Sequence, residues 1–495
     1  MKLLKIISQK SWLLLVILLT ALFLRTYRAG DLTGFYYDQG RDALVVWNLI
    51  HQHKFFLIGP TTGIEGIFLG PFYYYLITPF YWLGNGNPVA ASFALALINV
   101  AGIYLIYLIG RDFFDKSIGL LAAFFITFSL PLTQAHRWLS NPTPLPFFTA
   151  LAVYCLLKLI HGSKSVWSWL LLGLSLGLGL QCEAASAVFF LPATLLILII
   201  FRKHVNWNFK LLFSVFLFCL TLLPQLYFNY RHDNLLVNAF KRFLVSEKSF
   251  TPVLSGFYTQ RLAFYFDSFS QKLLLDRSWA ILFFTVTATM LLFNFKRFMN
   301  RSTAALAIII ATPLLLLLFY HGNNGYVWDY YFTGIFSLFV LLVAEILVAS
   351  AEKTRLFTIL ASFLVCLFLA TNLFHLRNYL SAGTDGPTEI VLGASLKAVD
   401  WVYADAGSTP FNVDVYVPPV IPYAYDYLFL WQGTTKYHTV PDTHLRPLLY
   451  TLSEVDTPHP ERLTAWLARQ AGIATPGATV KFGGITVSKR IRIAL

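Results

Sequence analysis

Residues 36–75 read YYDQGRDALVVWNLIHQHKFFLIGPTTGIEGIFLGPFYYY, and their position between two long apolar runs decides what kind of fold the chain adopts. The stretch holds Asp38, Arg41, Asp42, His51, His53 and Glu65, then ends in a Gly-Pro-aromatic block. Asp38 and Asp42 are four residues apart, so a helix over RDALVVWNLI carries both carboxylates on one face near its N-terminus, where the helix dipole favours negative charge. A polar loop with its own amphipathic pattern, and with acids concentrated beside aromatics at a membrane edge, reads as a functional site, because ionisable groups there are seldom idle.

The composition around it is that of a polytopic membrane protein. Of 495 residues, 57% are hydrophobic, 17% aromatic and only 12% charged, and the mean hydropathy is +0.63, which ordinary soluble domains do not sustain. A formal net charge of +13 could suggest nucleic acid. That partner is excluded by distribution, since the Lys and Arg residues punctuate apolar runs and form no basic face. Cys155, Cys182, Cys219 and Cys366 lie in or beside apolar runs without metal-type spacing, so neither a disulfide nor a zinc site is expected. The N-terminus has the basic start and apolar core of a signal peptide. No small-residue cleavage site follows, so it reads as a retained first span.

Taking apolar runs of about 17 to 25 residues as candidate spans gives about eleven: 12–25, 88–110, 117–134, 142–160, 167–181, 184–201, 211–228, 279–295, 303–320, 331–350 and 355–371. Lys2, Lys5 and Lys10 precede the first, and then every second connection is basic, through Arg111 and Lys116, Lys158 and Lys164, Arg202, Lys203 and Lys210, Lys296, Arg297 and Arg301, and Lys353 and Arg355. By the positive-inside rule these connections and the N-terminus are cytoplasmic. The loop 26–87, the turn His136–Pro142, the loop 229–277 and everything after Thr371 are then extracytoplasmic.

The first outer loop is expected to hold two interfacial helices, RDALVVWNLIHQHKFF and a short aromatic one opened by Pro71 and broken at Pro79. The loop 229–277 mixes Arg231, Lys241, Arg242, Lys248, Arg261, Lys272 and Arg277 with four acids. It is either a solvated helix pair or a basic lip facing a phosphate-bearing ligand. The membrane domain is expected over 1–371, with a small α/β domain over 372–495. In the latter, LKAVDWVYADAG and ERLTAWLARQAG read as helices ended by Gly407 and Gly472. FNVDVYVPP reads as a strand and TVKFGGITVSKRIRI as a hairpin.

Five motifs in order carry a resemblance: LRTYRAGDL at the end of the first span, YYDQGRDA, GPFYYYLITPFYWLG, GRDFFDKSIGLLAA and HRWLSNPTPLPFF. The chain resembles the GT-C superfamily of membrane glycosyltransferases, in particular bacterial members of glycosyltransferase family 39 related to protein O-mannosyltransferases and the lipid A aminoarabinose transferase. The motifs cover the first 200 residues, and the remainder is similar in topology alone. The resemblance implies inverting transfer of a sugar from a polyprenyl-phosphate donor to a hydroxyl of a protein, lipid or glycan on the outer membrane face. Such a site needs a base, cations for the leaving phosphate and a groove for the lipid tail.

In that resemblance Asp38 is the base or the group that orients the nucleophile. The acid that often follows it in relatives is Gln39 here, and a second acid of the family falls on Asn141. A two-carboxylate metal site is thereby disfavoured, although a divalent cation stays open and no metal ligand is assigned. Arg137, with His136 beside it, is the preferred phosphate cation, because a guanidinium grips two phosphate oxygens. Glu183, Asp42, Tyr73 of the aromatic block, and Asp329 and Tyr330 of the cluster 320–331, which also includes Asn323 and Asn324, complete the expected binding residues. A lysine that grips lipid phosphate in some relatives has no counterpart near Leu69, so Lys54, Arg231 or Arg242 would replace it. Competing readings are a lipid-linked sugar flippase and a non-catalytic glycan-assembly protein. Charges confined to span ends oppose the flippase, which needs ionisable or broken-helix sites near mid-bilayer.

Overall fold

The computed structural model describes residues 12–247, 249–250, 257–322, 325–418 and 421–494. Lys2, Lys5, Lys10, Lys248, Asn323 and Asn324 therefore lie outside the described residues. The chain opens with α1 (Trp12–Thr26), then α2 (Tyr37–Gln52) and α3 (Phe72–Leu83) in the first loop. An apolar series follows: α4 (Pro88–Phe113), α5 (Lys116–Phe128), α6 (Leu130–Arg137), α7 (Leu145–Ile160), α8 (Val166–Cys182), α9 (Ala184–Ile200) and α10 (Leu211–Arg231). Two short helices, α11 (Leu235–Lys241) and α12 (Phe257–Ser270), lead to α13 (Arg277–Phe298), α14 (Arg301–Leu318), α15 (Thr333–Ala351) and α16 (Arg355–Ser381).

Each expected apolar run carries a helix, but length and composition license fewer crossings than eleven. Among the described residues six helices are long and apolar enough to cross a membrane, or seven if α5 and α6 are one span bent by 69°. α1, α7, α8 and α9 are shorter apolar helices. The bend has a local cause: Ser129 leaves helical geometry, accepts the Leu132 N–H at 3.2 Å and starts α6, with Pro131 in its first turn. α3 runs through Pro79, contrary to the break expected there. α16 continues past 371 to Ser381, so the C-terminal unit starts later than expected.

The basic connections gather at one end of the bundle. Arg301 donates to the Ile160 carbonyl at 3.2 Å, Lys210 to that of Lys164 at 2.7 Å, and Phe113 packs on His161 with ring centroids 5.2 Å apart. Arg297 pairs with Glu352. The opposite end carries the first loop and the C-terminal unit: α17 (Leu392–Ala406), β1 (Phe411–Tyr416), α18 (Tyr423–Gln432), β2 (Leu448–Glu454), α19 (Pro460–Ile473), β3 (Ala474–Phe482) and β4 (Ile485–Arg492). The sheet order is β1-β2-β4-β3, parallel between β1 and β2 and antiparallel elsewhere. Gly407 ends α17 at φ 55°, as the sequence implies, whereas α19 passes through Gly472 to Ile473.

This unit shares one core with the first loop. Ala43, Val46, Trp47, Tyr73 and Tyr81 of the loop helices join Tyr427, Leu428 and Trp431 of α18 in a single buried cluster. Tyr427 donates to the Gly86 carbonyl, and Trp431 Nε1 to that of Asn85 at 2.8 Å. α2 and α18 approach closely at Gly40, where a Cβ would overlap the backbone of Tyr423 and Ala424. Gly40→Ala is therefore expected to destabilise the docked C-terminal unit by about 1–3 kcal/mol. Thermal unfolding and protease release of the chain after Ser381 measure this, and an unchanged profile would contradict the packing.

Candidate active site

The entry to α2 is set by Gln39, whose side-chain oxygen accepts the Tyr36 N–H at 3.0 Å and closes the first turn. Asp38, the second residue of the helix, projects a half-exposed carboxylate. Arg41 follows one turn later and bridges two acids. Its Nη1 lies 2.8 Å from Asp38 Oδ1, while Nε and Nη2 donate to Asp42 Oδ1 at 2.9 and 2.8 Å. Asp42 is buried, also accepts from the Tyr74 hydroxyl at 3.1 Å, and leaves Oδ2 unpartnered. Burial pushes its carboxyl up to about 6 against the pull of Arg41. The Tyr74 hydroxyl is raised as well, by burial and by Asp42.

Asp38 and Arg41 open into a cavity of about 440 Å³. Asn141 lines it from the turn before α7 and donates to the Cys182 carbonyl at 2.6 Å, tying that turn to the end of α8. Glu183 is the single residue between α8 and α9; it caps α9 by accepting the Ala185 N–H at 2.7 Å. It is 7% exposed, and burial pushes its carboxyl up to about 7. Tyr330, edge-on to Trp138 at 6.2 Å, and Tyr331 line the next wall. Beyond this polar end the lining turns apolar, with Val188 and Phe189 of α9, Leu222 and Leu226 of α10, and Val237 and Phe240 of α11. Leu226 and Val237 are each 56% exposed, so the apolar end of the cavity reaches the side of the bundle.

Four expected residues thus meet at one cavity: Asp38, Asn141, Glu183 and Tyr330. The others lie elsewhere. Arg137 is buried, donates from Nη1 to the Leu24 and Tyr27 carbonyls at 2.9 Å each, and lies over Tyr379. It fastens the end of α1, the ordinary use of an arginine beside unpaired helix carbonyls. His136 accepts from Arg25 Nε at 3.0 Å in the same buried knot. Tyr73 is fully buried between the loop helices and the bundle. Asp42 stands behind Arg41 without lining the cavity.

Arg231 lies over Tyr227 on its own helix, and Arg242 ties the second loop to the first through the Glu65 carbonyl at 2.8 Å. Asp329 pairs with Lys272 at 2.6 Å. Among the described residues no cation of the loop 229–277 lines the cavity: what they contribute there is apolar, Leu236, Val237, Phe240, Phe243 and Phe250, together with Asn229. Lys54 is exposed at the far end of α2 and does not line the cavity. Among the described residues no group of three or more His, Cys, Asp or Glu side chains could hold a metal ion.

Arg41 is the residue that sequence reasoning passed over as a cavity group. Its signal is present in the sequence, since it lies three residues after Asp38 and next to Asp42. Gln225 and Asn229, on the cavity side of α10, gave no signal within an otherwise apolar run.

Residues 69–228 match the family described as dolichyl-phosphate-mannose-protein mannosyltransferase. No curated protein matches by sequence. Among solved structures, ArnT from Cupriavidus metallidurans bound to undecaprenyl phosphate superposes with a TM-score of 0.60 at 11% identity, over 96% of this chain and 97% of that one. The Archaeoglobus fulgidus oligosaccharyltransferase in complex with Zn and sulfate gives 0.52 at 13% identity, over 95% and 73%. At these identities the likeness is one of fold. The matched segment includes Asn141 and Glu183 and stops short of α2, so Asp38 and Arg41 rest on the cavity geometry. In the sequence of residues 69–228 and in the fold of nearly its whole length, the protein is similar to the GT-C membrane glycosyltransferases.

Proposed function

We propose that the protein transfers a sugar from a polyprenyl-phosphate donor to an acceptor hydroxyl, with inversion, on the extracytoplasmic side of a membrane. The observation that carries this reading is a single cavity with Asp38 and Arg41 at its polar end and an apolar opening on the side of the bundle. The donor has the same division, a charged phosphosugar on a hydrocarbon tail. Support for the orientation comes from the basic connections at the opposite end of the bundle, cytoplasmic by the positive-inside rule.

In the reaction, Asp38 takes the proton of the acceptor hydroxyl as its oxygen attacks the anomeric carbon. The bond from that carbon to the phosphate oxygen breaks, and polyprenyl phosphate leaves with the electron pair. Arg41 steadies the leaving phosphate, held in place by Asp42 from behind. The tail lies along Val188, Phe189, Leu222 and Leu226. Asn141 and Tyr330 contact the sugar.

Glu183 is protonated below about pH 7 and donates a hydrogen bond to the sugar phosphate. Transfer is expected to decline as pH rises through that value and the donor proton is lost. Glu183→Gln keeps a donor at all pH values and should remove this decline. Glu183→Ala also removes the α9 cap and should cost about 1 kcal/mol of stability. pH profiles and thermal unfolding of the two variants check these outcomes.

The test of the reading is release of polyprenyl phosphate from a panel of polyprenyl-phosphate sugars by purified protein in the presence of acceptors. Donor movement across vesicles without release would favour a flippase. Binding without either would favour an assembly protein.

A further inference from the structure

The C-terminal unit contains a second cavity, of about 710 Å³, which the proposed transfer does not use. Its lining includes five consecutive residues, Val413 to Val417. Successive residues of a strand point to opposite faces of a sheet, so a cavity that touches all five must run along the strand's free edge. β1 has such an edge, since it is the terminal strand of the sheet and pairs on its other side with β2.

The backbone parity identifies the groups offered there. The Phe411 carbonyl accepts the Asp442 N–H at 2.8 Å, a bond outside the β1–β2 ladder. Residues of the same parity, Val413 and Val415, therefore direct their N–H and C=O groups outward. Among the described residues no backbone hydrogen bond reaches these two on that side. Two flanks rise beside the edge. Phe429 and Leu430 of α18 stand on the side of Val413 and Val415, and Trp466 and Arg469 of α19 stand on the side of Asp414 and Tyr416. Arg469 and Gln470 hold Asp414, at 3.3 and 2.6 Å, and Tyr416 packs on Trp466 with ring centroids 5.7 Å apart. Asp426, exposed on the α18 flank, has no ion-pair partner among the described residues, and partial burial alone acts on its carboxyl.

We infer that this cleft binds an extended polypeptide segment, which adds as a strand to β1 through the outward backbone groups of Val413 and Val415 and places a basic side chain against Asp426. Unpaired strand edges recruit peptide in this way, with main-chain bonds giving affinity and alternate side chains giving specificity. Charge points to a basic segment, because the cleft has two carboxylates and its one arginine is committed to Asp414. A second copy of this chain is excluded as the occupant: its own edge lies between two helical flanks, which would collide with α18 and α19 before the strands met. The inference does not depend on sugar transfer.

The probe is a seven-residue peptide of alternating Thr and Val with a central Lys, and two forms of it N-methylated at alternate residues, titrated against the full chain in detergent. One methylation pattern removes the donors that face β1 and the other those that face solvent. Saturable binding is expected, with one pattern weakening it by at least about tenfold and the other leaving it within about threefold, the size of one or two lost hydrogen bonds. Val415→Pro removes an outward N–H from an edge strand, where proline is tolerated, and trims a side chain packed on the shared core, so Val415→Ala, which trims the side chain and keeps the N–H, is its control. Val415→Pro should weaken the peptide by at least about tenfold relative to Val415→Ala. Absence of saturable binding, equal loss with both methylation patterns, or undiminished binding to Val415→Pro would each overturn the inference. So would a mannose oligosaccharide that slows amide exchange along β1 where the peptide does not.

Discussion

Asp38→Asn is expected to lower transfer of sugar from a polyprenyl-phosphate donor by about 10²–10⁴-fold, the range over which a positioned general base contributes. Folding and donor binding should be unaffected. The carboxylate is half exposed at the second position of α2 and makes one ion pair, to Arg41. Asn has the same shape and still accepts from Arg41, and an exposed pair of this kind contributes little to stability. Single-turnover transfer and donor titration measured on the same preparation separate the proton-transfer role from binding. Equal loss of both would make Asp38 a binding residue.

Arg41→Leu should act on stability as well as on function. Asp42 is buried and has its Oδ2 already unpartnered. Loss of Arg41 leaves an uncompensated buried carboxylate, which costs about 3–5 kcal/mol. The sign with pH follows from the direction of the Asp42 shift. Burial already raises this group to about 6, and without Arg41 it rises further. The destabilisation is therefore full above that raised value and is relieved as pH falls toward the ordinary carboxylate range, where the unfolded chain is protonated too. Adding Asp42→Asn should recover most of the stability at neutral pH while leaving the loss of polyprenyl-phosphate binding in place. Thermal unfolding of the single and double variants at pH 5 and 8, with a lipid-phosphate binding assay on the double variant, checks both parts. Recovered binding in the double variant would remove Arg41 from the phosphate site.

The helical runs, the placement of Asp38 at the start of a loop helix and the hairpin at the C-terminus were legible because each rests on local pattern. Tyr36 to Gln52 is amphipathic with Gln39 at the third helical position, and TVKF and ITVSKRIR flank the turn residues Gly483 and Gly484. α18 and β2 were missed because most of YAYDYLFLWQ and all of LLYTLSE are buried, so neither shows a clear polar-apolar period. Arg137 misled for a related reason. An arginine at a span end can serve a ligand or a helix terminus, and only the three-dimensional structure brings the Leu24 and Tyr27 carbonyls within its reach. Asn141 and Glu183 were readable as candidates, but their meeting with Asp38 depends on the fold of α7 to α9 against α2. The loop 229–277 shows the limit of charge counting. Of its cations, Arg242, Arg277 and Lys272 pair with Glu65, Asp267 and Asp329, and its apolar side chains, which no charge pattern reveals, form part of the cavity wall.

A structure of the chain with undecaprenyl phosphate bound tests the central claim most directly. The phosphate should lie within hydrogen-bonding distance of the Arg41 guanidinium and beside Asp38, with the hydrocarbon leaving between Val188 on α9 and Leu226 on α10. A phosphate held instead at Arg137, or at the end of the bundle where Lys164 and Lys210 meet, would contradict the account.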